Sequence, residues 1–196
     1  MTPTKTISAP HAAALIPDGA VVTVSSSSGL GCPDLVLKAI GERFAQVGRP
    51  RNLTTLHPIA AGDMSGVKGI DHIARAGLLS RVIAGSYPSG PSTSEPPLIW
   101  QMIGANEVAA YNVPSGIMFD IHRDAAAKRP GVLTKVGLDT FVDPDREGCA
   151  MNAKAAAAPI VSKVVFLRQR GRGGDELAQQ CGFARGHIIE RGEVLL

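Results

Sequence analysis

The residues best suited to chemistry in this chain lie in one short stretch, VTVSSSSGLGCP, from Val22 to Pro33. Serine and glycine there keep side chains short, so a ligand can approach main-chain N–H groups closely. Between polar flanks such a run would be a slack linker. Here an apolar β-branched segment, Ala20 to Val24, precedes it, and a helical pattern from Pro33 to Val47 follows. The stretch therefore reads as a strand-to-helix turn that presents its backbone and a helix N-terminus. A tight turn that packs closely and binds nothing fits the local pattern equally well. Nucleotide chemistry lacks its motifs. Gly29-Leu30-Gly31 supplies GxG, but Asp34 occupies the third glycine position, and no GxxxxGK[ST] or GxSxG occurs.

Other chemically able side chains are scattered. Glu95, in the loop GSYPSGPSTSEPP (85–97), is the best carboxylate candidate from the residues alone, whereas Glu107 precedes a strand and reads as a cap or a solvated residue. A second Gly-rich loop, AAGDMSGVKG (60–69), also connects core elements, and long connections of this kind commonly carry function. Within it, Lys68 and Asp63 would be the cation and base of a sugar-phosphate isomerase-like reaction. His57 falls at a strand end, where it would face the site. His72 and His122 read as helical, with His122-Arg123-Asp124 as a solvated face, and His11 and His187 lie near the termini. With no HExxH and no paired spacing, no metal site is expected. Cys32, Cys149 and Cys181 form no CxxC pair, which points away from a disulfide framework and toward a reducing cytoplasm.

The elements that must position these residues alternate. Expected strands are Ala20–Val24, Leu53–Leu56, Arg81–Ala84, Val108–Asn112 and Val132–Val136. Expected helices are Pro33–Val47, Ile70–Leu79, Pro97–Ile103 and Ser115–Lys128. In the first of these helices, Val36, Ile40, Phe44 and Val47 fall on one face. Such alternation implies an α/β fold with a mostly parallel sheet covered by helices. The 196 residues, 44% hydrophobic with 22 glycines and 4% aromatics, suffice for one core. A net charge of +3 favours an anionic ligand but indicates no nucleic acid. No apolar run approaches membrane-spanning length and the N-terminus lacks a long apolar region, so a soluble, unexported protein is expected, with no membrane partner.

The wider stretch Asp18-Gly19 through Pro33 resembles the N-terminal signature of the family I CoA-transferases: an acidic-Gly turn, an apolar strand, small residues, then G-x-P opening a helix. Thr23 in the apolar triplet and Ser25-Ser26-Ser27, where Gly-Gly-Phe is usual, depart from it. RPRNLTTLHPIAAGD and GLLSRVIAG are similar to the next strand, loop and strand of the acetate/3-ketoacid branch. Ala110 to Gly116 resembles its AYNxPQG segment, and Arg129 to Pro144 its RPGxxTxxGxxTFVDP block. The resemblance covers roughly residues 8 to 166.

That resemblance implies a CoA-transferase-like fold, shared broadly with sugar-phosphate isomerases, and movement of coenzyme A from a short-chain acyl-CoA to acetate or a 3-keto acid, as in ketone-body metabolism. No cofactor is bound; the coenzyme A thioester is substrate. A glutamate attacks the thioester, giving an acyl-glutamyl anhydride and then a glutamyl-CoA thioester, with ping-pong kinetics. In the family this glutamate belongs to a second, homologous half, so no catalytic residue is assigned here and the chain is expected to be inactive alone. The expected pocket wall is Ser27, Ser28, Gly29 and Gly31, with Pro114, Ser115 and Gly116 across from them. Ser115 stands where a carbonyl-polarising glutamine is usual. The implied partners are an acyl-CoA, a small carboxylate, and the missing C-terminal half or another copy of the chain.

Two units follow: 1–166, an incomplete N-terminal α/β domain, and 167–196, a divergent tail. The tail reads as a frameshifted, truncated or disordered segment, with a short RG-rich run, Arg168 to Gly174, as an alternative RNA-binding element. A non-catalytic remnant that pairs with an intact transferase is the reading outside enzymology.

Overall fold

A computed structural model describes residues 6–90, 95–129, 131–164, 183–185 and 194–195. The RG-rich run, Cys181, His187 and most of the 167–196 tail lie outside the described residues, as do residues 91–94 of the loop that holds Glu95.

Four parallel strands, β1 (Val21–Thr23), β2 (Leu53–His57), β3 (Leu79–Ala84) and β4 (Ala109–Asn112), lie in the order β4-β3-β2-β1, and β8 (Val194–Leu195) joins beside β1. Because each strand is parallel to the last, each connection crosses a face of the sheet, and all four carboxyl ends reach the same edge. The α/β class expected from the alternation is the one observed.

Side chains alternate between the two faces. One face, with Leu53, Val82, Ala84 and Ala110, is covered by α1 (Ala9–Ala14), α2 (Asp34–Val47), a 3₁₀ turn (Gly69–His72) and α3 (Leu98–Gly104). The other, with Leu56, Ile83 and Tyr111, is covered by α4 (Ser115–Ala126) and the segment from Val132 to Val161, which includes α5 (Ala153–Ala156). Along the sheet's β4 side, residues 149–151 pair with β4 through Asn112 N–H to Cys149 O (2.9 Å) and Met151 N–H to Ala110 O (2.9 Å). That covers an edge whose unpaired main chain would otherwise be exposed.

Several local expectations shift. In α2 the buried anchors are Leu37, Ile40 and Gly41, while Val47 is exposed. Gly41 sits there because a Cβ would lie 2.2 Å from the His72 carbonyl, so only glycine lets α2 approach the 3₁₀ turn. Ile70–Leu79 is not a helix. It forms one 3₁₀ turn, then a bend through Gly77 at positive φ, and Leu79 already belongs to β3. Its apolar residues mimic a helical face because they enter the core from a turn and then a strand. Val132–Val136 contributes only β5 (Leu133–Thr134), in a small antiparallel sheet with β7 (Phe183–Arg185) and β6 (Ser162–Val164). The helix α1, capped by Ser8, was not anticipated.

Nor is His122-Arg123-Asp124 a solvated face. His122 Nε2 meets Thr23 Oγ1 at 3.1 Å, tying α4 to β1, and the buried Asp124 pairs with Arg129 at 3.1 Å. Only Arg123 points to solvent, beside Asp120.

Candidate functional site

The loops leaving β1 to β4 share the carboxyl edge of the sheet. The first is the serine stretch. Ser27 and Leu30 exchange main-chain hydrogen bonds (2.9 and 3.0 Å), so the stretch closes a tight turn, with Ser28 and Gly31 at positive φ. It is not slack chain. The turn rests on the loop after β2: Gly62 N–H donates to Ser28 O (3.0 Å), and Ser26 Oγ donates to Ala60 O (3.1 Å). A Cβ on Gly29 would stand 2.2 Å from Asp63 Oδ2, so glycine permits this contact. Ser27 and Ser28 are exposed, and their hydroxyls make no hydrogen bond among the described residues.

Asp63 holds its own loop. Its Oδ1 accepts the N–H groups of Ser65, Gly66 and Val67 at 2.9 to 3.0 Å, which hold the carboxyl below its usual range. A carboxylate committed in this way is a poor base, and Lys68 is exposed, so the isomerase-like roles for Asp63 and Lys68 find no geometric support.

The far end of the same loop is fixed by Asp34, which accepts Gly69 N–H (2.7 Å) and meets His72 Nε2 (3.1 Å). Burial works against the ionised form of Asp34, but these two contacts outweigh it, and the carboxyl titrates below its ordinary value. His72 therefore lies in the 3₁₀ turn as a hydrogen-bond partner of Asp34, not on a helix. Such charge-assisted bonds contribute about 1.5–3 kcal/mol. Asp34→Ala is expected to lower stability at pH 7 by about 2 kcal/mol, measured by urea denaturation. Because the folded carboxyl titrates low, its contribution is present above the unfolded value of 3.8 and is lost as pH falls through the folded one. The difference between wild type and variant should therefore vanish in that acid range.

The third and fourth loops interlock with the second. Gly85 N–H donates to His57 O (3.0 Å), Ala60 N–H to Ser86 Oγ (2.8 Å) and Val113 N–H to Ala84 O (2.8 Å). Ser115 Oγ donates to Pro58 O at 2.6 Å. Its one hydroxyl proton is thus directed at main chain. The first turn of α4 opens at Pro114 with no side-chain cap, and the N–H groups of Ser115 and Gly116 have no partner within the helix.

His57 is the last residue of β2 and is completely buried, so it does not face the open edge as its place in the sequence suggested. Burial holds its imidazole down at about 4, so the ring is neutral near pH 7; contacts with backbone at Ile59 and Ser86 only partly offset this. Glu95 and Glu107 are exposed, and Glu107 bonds through main chain, its N–H to Met102 O (2.9 Å) and its carbonyl to Lys154 Nζ (2.6 Å).

The seven pocket candidates fall into two groups. Ser27, Ser28, Gly29 and Gly31 stand at the end of β1, and Pro114, Ser115 and Gly116 at the end of β4. Three strand spacings of about 4.8 Å separate them, roughly 14 Å. The loops after β2 and β3 fill the interval, and the sequence alone had not singled out Pro58, Ser26 or Ser86. The edge is open. A cavity of about 480 Å³ lies elsewhere, lined by Arg146, Glu147, Asn152 and neighbours, and no edge residue contributes to it. Among the described residues no cluster of His, Cys, Asp or Glu could hold a metal ion. No described helix is long and apolar enough to cross a membrane.

This chain matches the family described as Coenzyme A transferase over residues 6–177. It is 37% identical over 162 residues to caffeate CoA-transferase of Acetobacterium woodii, covering 83% of this chain and 29% of that protein. Acetate CoA-transferase YdiF of Escherichia coli (strain K12) is 32% identical over 147 residues, which is 74% of this chain and 26% of that one. The chain thus spans less than a third of each. In structure it resembles the acyl-CoA transferase YdiF of E. coli O157:H7, solved as a thioester complex with CoA. The TM-score is 0.74 at 27% identity, covering 93% of this chain and 34% of that one. The chain belongs to the coenzyme A transferase family.

Proposed function

We propose that this chain supplies one wall of a site that transfers coenzyme A from a short-chain acyl-CoA to acetate or a 3-keto acid. The observation that carries this reading is the convergence of four interlocked loops along one sheet edge about 14 Å long, a span suited to an extended ligand such as an acyl-CoA. Family membership and the CoA complex of a structural relative support it. In this reading Ser27, Ser28, Gly29 and Gly31 hold one end of the ligand, and Pro114, Ser115 and Gly116 the other. The unpartnered N–H groups of α4 face the oxyanion that forms as the thioester carbonyl is attacked.

The attacking carboxylate comes from a second, homologous half. Asp34 and Asp63 at the edge are already committed to backbone N–H groups, and a carboxylate with a lowered pKa is a weak nucleophile. Attack breaks the C–S bond and expels CoA thiolate, leaving an acyl-glutamyl anhydride. CoA thiolate then attacks the glutamyl carbonyl of the anhydride, breaking its C–O bond and releasing the donor acid as carboxylate. The acceptor carboxylate displaces CoA from the resulting glutamyl thioester, and CoA reopens this second anhydride at the acceptor's carbonyl, giving the new acyl-CoA and the free glutamate. Residues 1–166 form the N-terminal domain of this machine and 167–196 a divergent tail. Cys32 and Cys149 are free thiols, in keeping with a cytoplasmic setting.

Exchange between acetyl-CoA and labelled acetate provides the test. None is expected from the purified chain, and exchange should appear when a separately produced segment carrying the glutamate is added. Exchange by the chain alone, abolished by Glu95→Ala, would overturn the assignment of the nucleophile.

A further inference from the structure

His57 is the one histidine among the described residues that is fully buried. It is 0% exposed, and neither ring nitrogen makes a hydrogen bond of ordinary geometry. Thr55, two residues earlier on the same face of β2, is also buried with an unpaired hydroxyl. Buried polar groups without partners destabilise a fold, and an apolar side chain of similar size would avoid that cost. Its surroundings suggest what the histidine does.

Three loops meet at this residue. Its carbonyl accepts Gly85 N–H, and the next carbonyl, Pro58 O, accepts the Ser115 hydroxyl. Ala60, three residues on, donates to Ser86 Oγ and accepts from Ser26 Oγ. Its ring stands edge-on to Tyr87, with centroids 5.8 Å apart, and Tyr87 lies 5.4 Å from Trp100. The Tyr87 hydroxyl donates to Tyr111 O at 2.8 Å, and the Trp100 indole N–H to Pro88 O at 2.8 Å. There is no slack in this junction, since a Cβ on Gly85 would lie 2.1 Å from Pro58 O.

We propose that His57 is a positioning residue for the coenzyme A pocket: its ring, wedged beneath the loops after β2 and β3, sets the register of both and, through Pro58, that of Ser115 at the start of α4. The proposal rests on the transferase reading for its functional consequence, but not for its geometry. Polarity is tested beside shape, because both ring nitrogens are buried within the junction of these loops. A leucine would fill the volume and hold neither loop.

The experiment compares wild type, His57→Leu and His57→Gln as full-length chains. Amide hydrogen exchange is followed at 58–61, 85–88 and 115–117, and acetyl-CoA binding by calorimetry. In His57→Leu, exchange should rise about tenfold or more at all three segments together, with the strand interiors unchanged, and acetyl-CoA affinity should fall by a similar factor. His57→Gln keeps a polar group within reach of the backbone and should restore both to within about threefold of wild type. An increase confined to residues 58–61, or equal effects in the two variants, would overturn the proposal. If wild type binds no acetyl-CoA, the transferase reading of the edge fails, while the exchange pattern still decides the role of His57. If His57→Leu does not fold, Ser86→Ala replaces it and should raise exchange at 58–61 and 85–88. Unchanged exchange there would count against the coupling of the loops.

Discussion

Gly85→Ala is expected to cost about 3 kcal/mol of stability, from the strain of overpacking at a site with no room. The added Cβ would stand 2.1 Å from Pro58 O, 2.3 Å from Ser115 Oγ and 3.0 Å from Ser115 Cα. Two of these atoms are main chain and cannot swing aside as a side-chain end can. Gly85 has no positive φ, so the demand is purely one of space. Relief requires the loop after β2 to part from the start of α4, which breaks the Ser115 hydrogen bond. For a chain of this size the loss corresponds to a melting temperature lower by roughly 6–12 °C. Gly116→Ala is the control. Nothing lies within 4 Å of its Cβ and it occupies the first turn of α4, so it should be neutral or slightly stabilising. Thermal denaturation of both variants decides the matter, and a Gly85→Ala protein as stable as wild type would mean that the junction is loose.

The second large effect is a pH dependence. An unfolded histidine titrates near 6.5, while burial holds His57 down to about 4. The folded state thus resists a proton that the unfolded state accepts. Its contribution is fully present above 6.5 and is lost as pH falls from there toward 4. At 1.36 kcal/mol for each tenfold change, the loss is about 3 kcal/mol. Urea denaturation from pH 7 to pH 4 should show wild type losing about that much more than His57→Leu, which has no proton to accept. Parallel profiles would show that the ring is solvated in the folded protein.

Much of this was legible in the residues. The β-branched run Ala20–Val24, the small residues after it and the amphipathic segment beyond specify a strand, a turn and a helix from local propensity alone, and Ser27 pairs with Leu30 as such a turn requires. What escaped depends on register between distant strands. Ser115 and Pro58 are 57 residues apart, and only the β2–β3–β4 order brings them together. Asp34 stands in the first turn of α2, but its partners, Gly69 and His72, come from a loop that has no regular period. Ile70, Ile73 and Leu78 enter the core from a turn, and this irregular path imitates a helical stripe. His57 was placed correctly at a strand end, yet its burial follows from the packing of Tyr87 above it, which no neighbour in sequence reveals.

The central claim, that the carboxyl edge of β1 to β4 is the acyl-CoA wall, is tested most directly by titrating acetyl-CoA into isotope-labelled protein and following backbone amide resonances. The account predicts shifts clustered at Ser26–Gly31, Ala60–Asp63, Gly85–Ser86 and Ser115–Gly116. Shifts confined to the cavity lined by Arg146, Glu147 and Asn152, or no shifts at millimolar ligand, would contradict it.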